Sequence, residues 1–564
     1  MIPNRPLPIS GVWETPDVYT EALLSFATTS VLFMNLCGGV HMVDFLTREP
    51  DVYTTTLPEK WREFFQHHDV QDIIHLLLRE EIGPLRAATN PVEETSRTWR
   101  GGAFPPQSLL DYIFNVRQLA LLRDLDTSSA SQTELPSQVV MRMNRKKVHE
   151  VRHFSQYVAS LSQTVYERRG EPPPYHKHII AIERKHEYIS GARTMDVRAK
   201  LAKDPKAYDP QKQKDSCDCQ NDTPELIATA ATNVSPPILQ DLQITEDVSN
   251  LEVLGDISLS PDGYLEPVID HIIHPESNDG ETKKERDARL MVVSLHSCGN
   301  LVHHGIRSLI LNSSIVAVAM IGCCYNLLTE RLGPSEHELP VLQSLHPRLK
   351  EAGSSYDPHG FPMSQYYENY RSPGATTGMK LNITARALAV QAPYNWSQKD
   401  SETSFTRHFF RALLQRILVD RNVIPKPSAE NDALYEATHP KHKGDSIIIG
   451  GVSKGAYKTF NAYVRAATIK MSCDPNYGSK VQQHIATLTD EEIDGYETNY
   501  LYARKHMSIM WSLMGFSAQL VESIIVVDRW QFLREQDSVK DCWVEPVFEY
   551  GQSPRNLAVI GLKK

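Results

Sequence analysis

Two apolar strand patterns, one helix-length apart, limit the possible folds of this chain more than any other feature. Met291-Val292-Val293-Ser294-Leu295 runs into His296-Ser297-Cys298-Gly299-Asn300, and Ile315-Val316-Ala317-Val318-Ala319-Met320-Ile321 runs into Gly322-Cys323-Cys324-Tyr325-Asn326. Residues 301–312 between them are of helix length. A strand–helix–strand unit builds a parallel sheet covered on both faces, which is why its strands read as continuous apolar runs. In open α/β sheets, ligands bind beyond the carboxyl ends of the strands. Both polar clusters fall at those ends, so the unit points to a site as well as to a fold.

The rest of the chain divides around this unit. Residues 1–139 form a helical N-terminal region: Tyr19-Thr20-Glu21-Ala22-Leu23-Leu24-Ser25-Phe26 and Asp72-Ile73-Ile74-His75-Leu76-Leu77-Leu78 carry apolar side chains at helical spacing. Pro58 and Glu59 mark a helix start, and residues 108–122 read as another helix. Residues 140–203 hold a helix through Val158, the short strand Ile179-Ile180-Ala181-Ile182 ending in Glu183, and a helix over 186–201. Residues 204–288 are rich in Asp, Glu, Ser, Asn, Pro and Lys; they are expected to be a long, mostly disordered insertion with strand pieces near 251–257 and 268–273. Residues 289–400 hold the paired strands and a loop-rich stretch. Residues 401–564 are mainly helical, with an amphipathic helix over 407–419, an apolar stripe over 517–530 and one or two terminal strands around Pro554.

Composition bounds the function. A 564-residue chain that is 41% hydrophobic can build a sizeable core, and a formal net charge of −10 gives no strong basic footprint for nucleic acid. The 8 cysteines are scattered, with Cys323 and Cys324 adjacent, which fits a reducing compartment better than a disulfide framework. Cys217 and Cys219 lack a matching second pair for zinc. The N-terminus does not read as a signal peptide, and the apolar run 315–328 is too short to span a bilayer. The expectation is a protein of the cytoplasm or nucleus with no membrane partner.

Six segments together resemble the methyltransferase-like protein 25 family. They are Lys146-Lys147-Val148-His149-Glu150-Val151, His178-Ile179-Ile180-Ala181-Ile182-Glu183, His296-Ser297-Cys298-Gly299-Asn300-Leu301, Gly322-Cys323-Cys324-Tyr325-Asn326-Leu327-Leu328, Val527-Asp528-Arg529 and Ser553-Pro554-Arg555-Asn556-Leu557-Ala558. The resemblance implies an α/β, Rossmann-like methyltransferase sheet, S-adenosyl-L-methionine as cofactor, and an unknown methyl acceptor. The His-x-Cys-Gly turn and the Cys-Cys pair are also similar to those of a tRNA 2′-O-methyltransferase family. That analogy raises RNA beside protein as an acceptor class. The alternative is a family member without catalysis that serves as an interaction module.

Within that resemblance, Glu183 would accept hydrogen bonds from the cofactor ribose, or else simply sit at a helix N-terminus. His296 and Cys298 would lie beside the methyl donor as the catalytic candidates, His296 as a base near neutral pH. Ser297 and Gly299 make a tight turn at the donor and cap the next helix. Lys147 and His149, with Lys146 and Glu150, would reach the cofactor carboxylate or a substrate phosphate, or belong to a solvated helix start. Cys323, Cys324 and Tyr325 would shape the substrate pocket, with core packing the bland reading for at least one cysteine. Arg555 is a possible substrate-side contact. A metal held by His296, Cys298, Cys323 and Cys324 is conceivable, but their spacing is not that of a zinc knuckle, and no metal is expected.

One element of the pattern is missing. A first strand, a turn like Asp-x-Gly-x-Gly and a helix belong between the Lys146 helix and the Ile179 strand. Residues 159–175 contain only Gly170, followed by Glu171-Pro172-Pro173-Pro174. A βαβ unit needs about 30 residues or more. Without the first strand, the Ile179 and Val292 strands lose the neighbour that lies between them. Either a coding segment is missing from the written sequence, or the chain no longer binds the cofactor.

Overall fold

The computed structural model describes residues 2–88, 97–125, 134–141, 143–170, 289–332, 357–372, 377–424, 449 and 451–564, and the backbone alone of 179–182 and 251–254. Thr15 caps α1 (Pro16–Thr29) by accepting from the Val18 N–H. Pro58 opens α2 (Glu59–Gln66), whose inward face is Trp61, Phe64 and Phe65, and Asp69 caps α3 (Val70–Leu78). After α4 (Gln107–Leu119), Asn144 accepts from the Lys147 N–H to start α5 (Arg145–Arg169). That helix stops at Gly170, whose φ of +67° is the left-handed geometry that favours glycine.

Short strands β1 (Ile179–Ile182) and β2 (Leu251–Leu254) pair in parallel as a two-stranded sheet, with Ile179 opposite Leu251. The second strand matches the piece expected near 251–257. Glu183, the 186–201 helix and the remaining expectations for 204–288 lie outside the described residues. The strand–helix–strand unit forms as the sequence dictates: β3 (Leu290–Ser297), α6 (Leu301–Leu311) and β4 (Ile315–Gly322), with Val292 opposite Val318 in a parallel ladder. Helices α7 (Gln398–Asp420), α8 (Phe460–Met471) and α9 (Leu501–Arg534) follow, and the chain ends in β5 (Val539–Pro546) and β6 (Leu557–Lys563).

The main sheet has the order β3-β4-β6-β5. Only β3 and β4 run in parallel; β6 is antiparallel to both its neighbours. The sheet is therefore mixed, because a hairpin-like return from β5 to β6 completes it. Strand β4 alternates its burial between two cores. Ala317, Ala319 and Ile321 pack with Phe154, Leu161 and Val165 of α5, while Val318 and Met320 join Val302, Ile306 and Leu309 of α6. Cover on both faces explains the unbroken apolar run.

Helix α9 carries the second core. It contacts α1, α3, α4, α6, α7 and both terminal strands, and Tyr112 of α4 hydrogen-bonds Ser517 of α9 at 2.7 Å. By length and composition α9 could cross a membrane, yet 94% of its most apolar 18-residue window is buried inside the protein. Helix α7 starts nine residues before the expected 407, because the Ser397–Asp400 capping box holds a polar first turn that apolar spacing does not reveal.

Among the described residues, no strand pairs with the outer edge of β3. Its side chains are mostly half-buried where those of β4 are almost all buried.

Candidate functional site

The ends of β3 and β4 are tied together by their backbones. Ser297 pairs with Gly322 in register, the Cys323 N–H donates to the Ser297 carbonyl at 3.2 Å, and the Gly299 N–H donates to the Cys324 carbonyl at 3.3 Å. Gly299 has φ +55°, and a Cβ there would come 2.4 Å from the Leu327 carbonyl oxygen. The turn needs a residue with no side chain for both reasons. It delivers Cys298 onto the Cys323-Cys324 pair: the three sulfurs lie 3.5 Å (298–323), 3.3 Å (298–324) and 3.4 Å (323–324) apart. Burial, then a hydrogen bond with Cys324, pushes the thiols of Cys298 and Cys323 up from the usual cysteine range.

His296 sits on β3 itself, one residue before the strand ends, and its Nε2 donates to Glu150 Oε2 at 3.1 Å. Glu150 is buried, accepts from Ser553 Oγ at 2.8 Å on its other oxygen, and has Lys146 Nζ 3.7 Å away. One carboxylate thus joins α5, the end of β3 and the turn before β6. The sequence flagged the segment around Glu150 without giving it this role, because its partners are 146 and 403 residues away.

Several expected roles change with the geometry. Ser297 does not cap α6: it is buried, with its hydroxyl on Ser294 at 2.7 Å, and the N-cap position is Asn300. Asn300 instead ties the site to the following loops through Thr329 (2.7 Å) and Asp357 (2.8 Å). His149 accepts from the Glu549 N–H at 3.1 Å, and Lys147 lies in the first turn of α5. Cys323 and Cys324 are half-buried beside Cys298. Tyr325, expected at a substrate pocket, is buried, with its hydroxyl donating to Glu522 Oε1 at 2.8 Å. Arg555, expected toward a substrate, is buried on Glu522 (2.7 Å) and the Ala389 carbonyl (2.7 Å). Both are core residues because a buried acid needs a countercharge, here Arg555, and hydrogen-bond donors, here Tyr325, close by.

The acid limb of an unfolding profile is expected to carry the signature of Glu150. Burial alone would raise its carboxyl, but the hydrogen bonds from His296 and Ser553, with the nearby charges of His296 and Lys146, hold it down at about 2. An unfolded Glu titrates near about 4.3. The folded value is the lower one, so the stabilisation is complete above about pH 5 and fades as pH falls through 4 toward 2. Urea midpoints of the wild type and Glu150→Gln should therefore differ at pH 6 and converge toward pH 2.5. Curves that stay parallel would remove this assignment.

Residues 171–331, which include β1 to β4 and α6, match the family model described as a methyltransferase domain. Over 274 residues the chain is 28% identical to the probable methyltransferase-like protein 25 of Mus musculus and 27% identical to that of Homo sapiens. Over that stretch the chain is similar to the methyltransferase-like protein 25 proteins. Each alignment covers 49% of this chain and 37% of the methyltransferase-like protein 25 relative. No solved structure matches.

The described residues do not complete a site for the cofactor that this kinship implies. The outer edge of β3 has no partner strand among them, and only the eight residues 171–178 separate Gly170 from β1. At the strand ends, His296 is engaged by Glu150, Ser297 by Ser294, and Gly299 by the 324–327 turn. No glycine loop faces them among the described residues, and no step of methyl transfer is derived through the donor.

Proposed function

We propose that the chain carries the framework of an S-adenosyl-L-methionine-dependent methyltransferase for an RNA or protein acceptor, with the donor half of its site incomplete as written. The supporting observation is the parallel β3–β4 pair. It carries His296 at the end of β3 and brings Cys298, Cys323 and Cys324 together beyond the carboxyl ends of the strands, where such folds do their chemistry. Glu183 is the residue of this reading that would hold the ribose.

A second reading, a non-catalytic interaction module, is favoured by one observation, the outer edge of β3, with which no strand pairs among the described residues. An unpaired strand edge offers donors and acceptors to another chain.

Calorimetric titration with S-adenosyl-L-methionine separates them. The chain as written is expected to give no binding heat. A chain with the corresponding strand, glycine turn and helix of a methyltransferase-like protein 25 relative grafted after Gly170 is expected to bind, and Glu183→Ala in that graft should cost about 1–3 kcal/mol. Binding by the chain as written would overturn the incompleteness. Silence from both chains, each folded by circular dichroism, would leave the interaction module standing.

A further inference from the structure

We propose that Cys298, Cys323 and Cys324 bind one zinc ion as three thiolates, with the fourth coordination position open to solvent or to a soft donor atom of a bound partner. The inference is independent of the methyl-transfer reading.

The geometry carries it. The three sulfurs form a nearly equilateral triangle with edges of 3.3 to 3.5 Å. Zinc–sulfur bonds of about 2.3 Å in a tetrahedron place sulfurs about 3.8 Å apart, so the triangle needs to open by only a few tenths of an ångström. No pair is set apart from the third, as two halves of a disulfide would be. Neutral thiols are weak donors and weak acceptors, so convergence of three of them, one exposed and two half-buried, gains little by itself.

The scaffold is fixed before any metal arrives. The Gly299 and Cys323 N–H groups bond across the two strand ends, Gly299 leaves room for the Leu327 carbonyl, and the neighbouring Tyr325 is anchored on Glu522. A preorganised trio loses little freedom on binding. The chain spacing hid this. Ligand positions 25 and 26 residues apart do not read as a zinc knuckle, but parallel pairing of β3 and β4 closes that distance.

His296, the fourth member considered from the sequence, is not part of the trio. Its Nε2 is engaged by Glu150 at 3.1 Å. Three protein ligands with an open fourth position resemble the reactive rather than the closed structural class of zinc site. On binding, three thiols lose three protons and one Zn²⁺ enters, so the site changes from neutral to a net charge of −1.

The test uses the full chain, purified under reducing conditions. Elemental analysis should find about one zinc per chain, and cobalt in its place should give an intense sulfur-to-cobalt charge-transfer band with the visible bands of four-coordination. Cys298→Ser and Cys324→Ser should each weaken zinc retention against a chelating dye at least tenfold, while Cys473→Ser, an exposed cysteine elsewhere, should not. The cobalt spectrum of the wild type decides the matter even if a variant fails to fold. A cobalt complex without the charge-transfer band would place the metal elsewhere, for instance at the His149, His153 and Glu549 group, and overturn the proposal. So would a fully reduced chain that takes up no zinc, or a disulfide between two of the three thiols that persists under reduction.

Discussion

Glu522→Gln is expected to destabilise the protein by about 3–5 kcal/mol, the cost of breaking a buried ion pair by removing one partner. Glu522 lies in the middle of α9 and is 2% exposed. Its Oε2 receives Arg123 at 2.6 Å and Arg555 at 2.7 Å, and its Oε1 receives Tyr325 at 2.8 Å. Burial alone would raise its carboxyl, but the two guanidinium charges and these hydrogen bonds hold it below the usual glutamate range, so it is ionised at neutral pH. Glutamine keeps the shape and removes the charge, leaving two cations in the core with no anion between them. The contrast is Asp17 with Arg534, a pair whose side chains are 67% and 41% exposed. Asp17→Asn should cost less than about 1 kcal/mol, as exposed pairs do. Urea unfolding of both variants checks the pair. A Glu522→Gln midpoint as close to wild type as that of Asp17→Asn would sink the argument.

The same residue marks where sequence reading stops. The strand–helix–strand unit was legible because each strand is buried on both faces, and the pattern survives in the residues themselves. The apolar stripe over 517–530 was legible for the same reason, since α9 is packed from nearly every side. Glu522 sits within that stripe and gave no sign, because its partners lie 399, 197 and 33 residues away along the chain. Arg555 read as a possible substrate-side contact for the same reason: a charged side chain is assigned to an accessible position unless its countercharge is known.

The candidate site follows the same rule. Adjacency at the ends of β3 and β4 followed from topology, so the meeting of Cys298 and Cys323 could be expected. The partners could not. Glu150 reaches His296 only because α5 packs across the sheet, and the cysteine triangle exists only because the strand register sets Ser297 against Gly322. The shortage of residues before β1 was legible in the sequence, and among the described residues no strand pairs with the outer edge of β3.

Gly299→Ala tests how tightly that register is fixed, and about 2–4 kcal/mol of destabilisation is expected. Two costs combine. Alanine in the left-handed region costs about 1 kcal/mol or somewhat more. The new Cβ would also come 2.4 Å from the Leu327 oxygen and 2.8 Å from its carbonyl carbon, and both are backbone atoms that cannot rotate away. Relief requires the 298–300 turn and the 324–328 turn to separate, which strains packing by about 1–3 kcal/mol. The Gly299 N–H to Cys324 carbonyl bond spans that gap, so it lengthens first. Amide hydrogen exchange should accordingly speed up at residue 299 and at the Cys323 N–H bonded to Ser297, while amides in the middle of β4 and in α9 keep the protection of the wild type apart from the global loss. The thiol of Cys298 moves with the turn, so its reaction with an alkylating reagent should quicken relative to that of Cys473. A variant with wild-type stability and unchanged exchange at residue 299 would mean that the turn is loose and that the three sulfurs meet without being held.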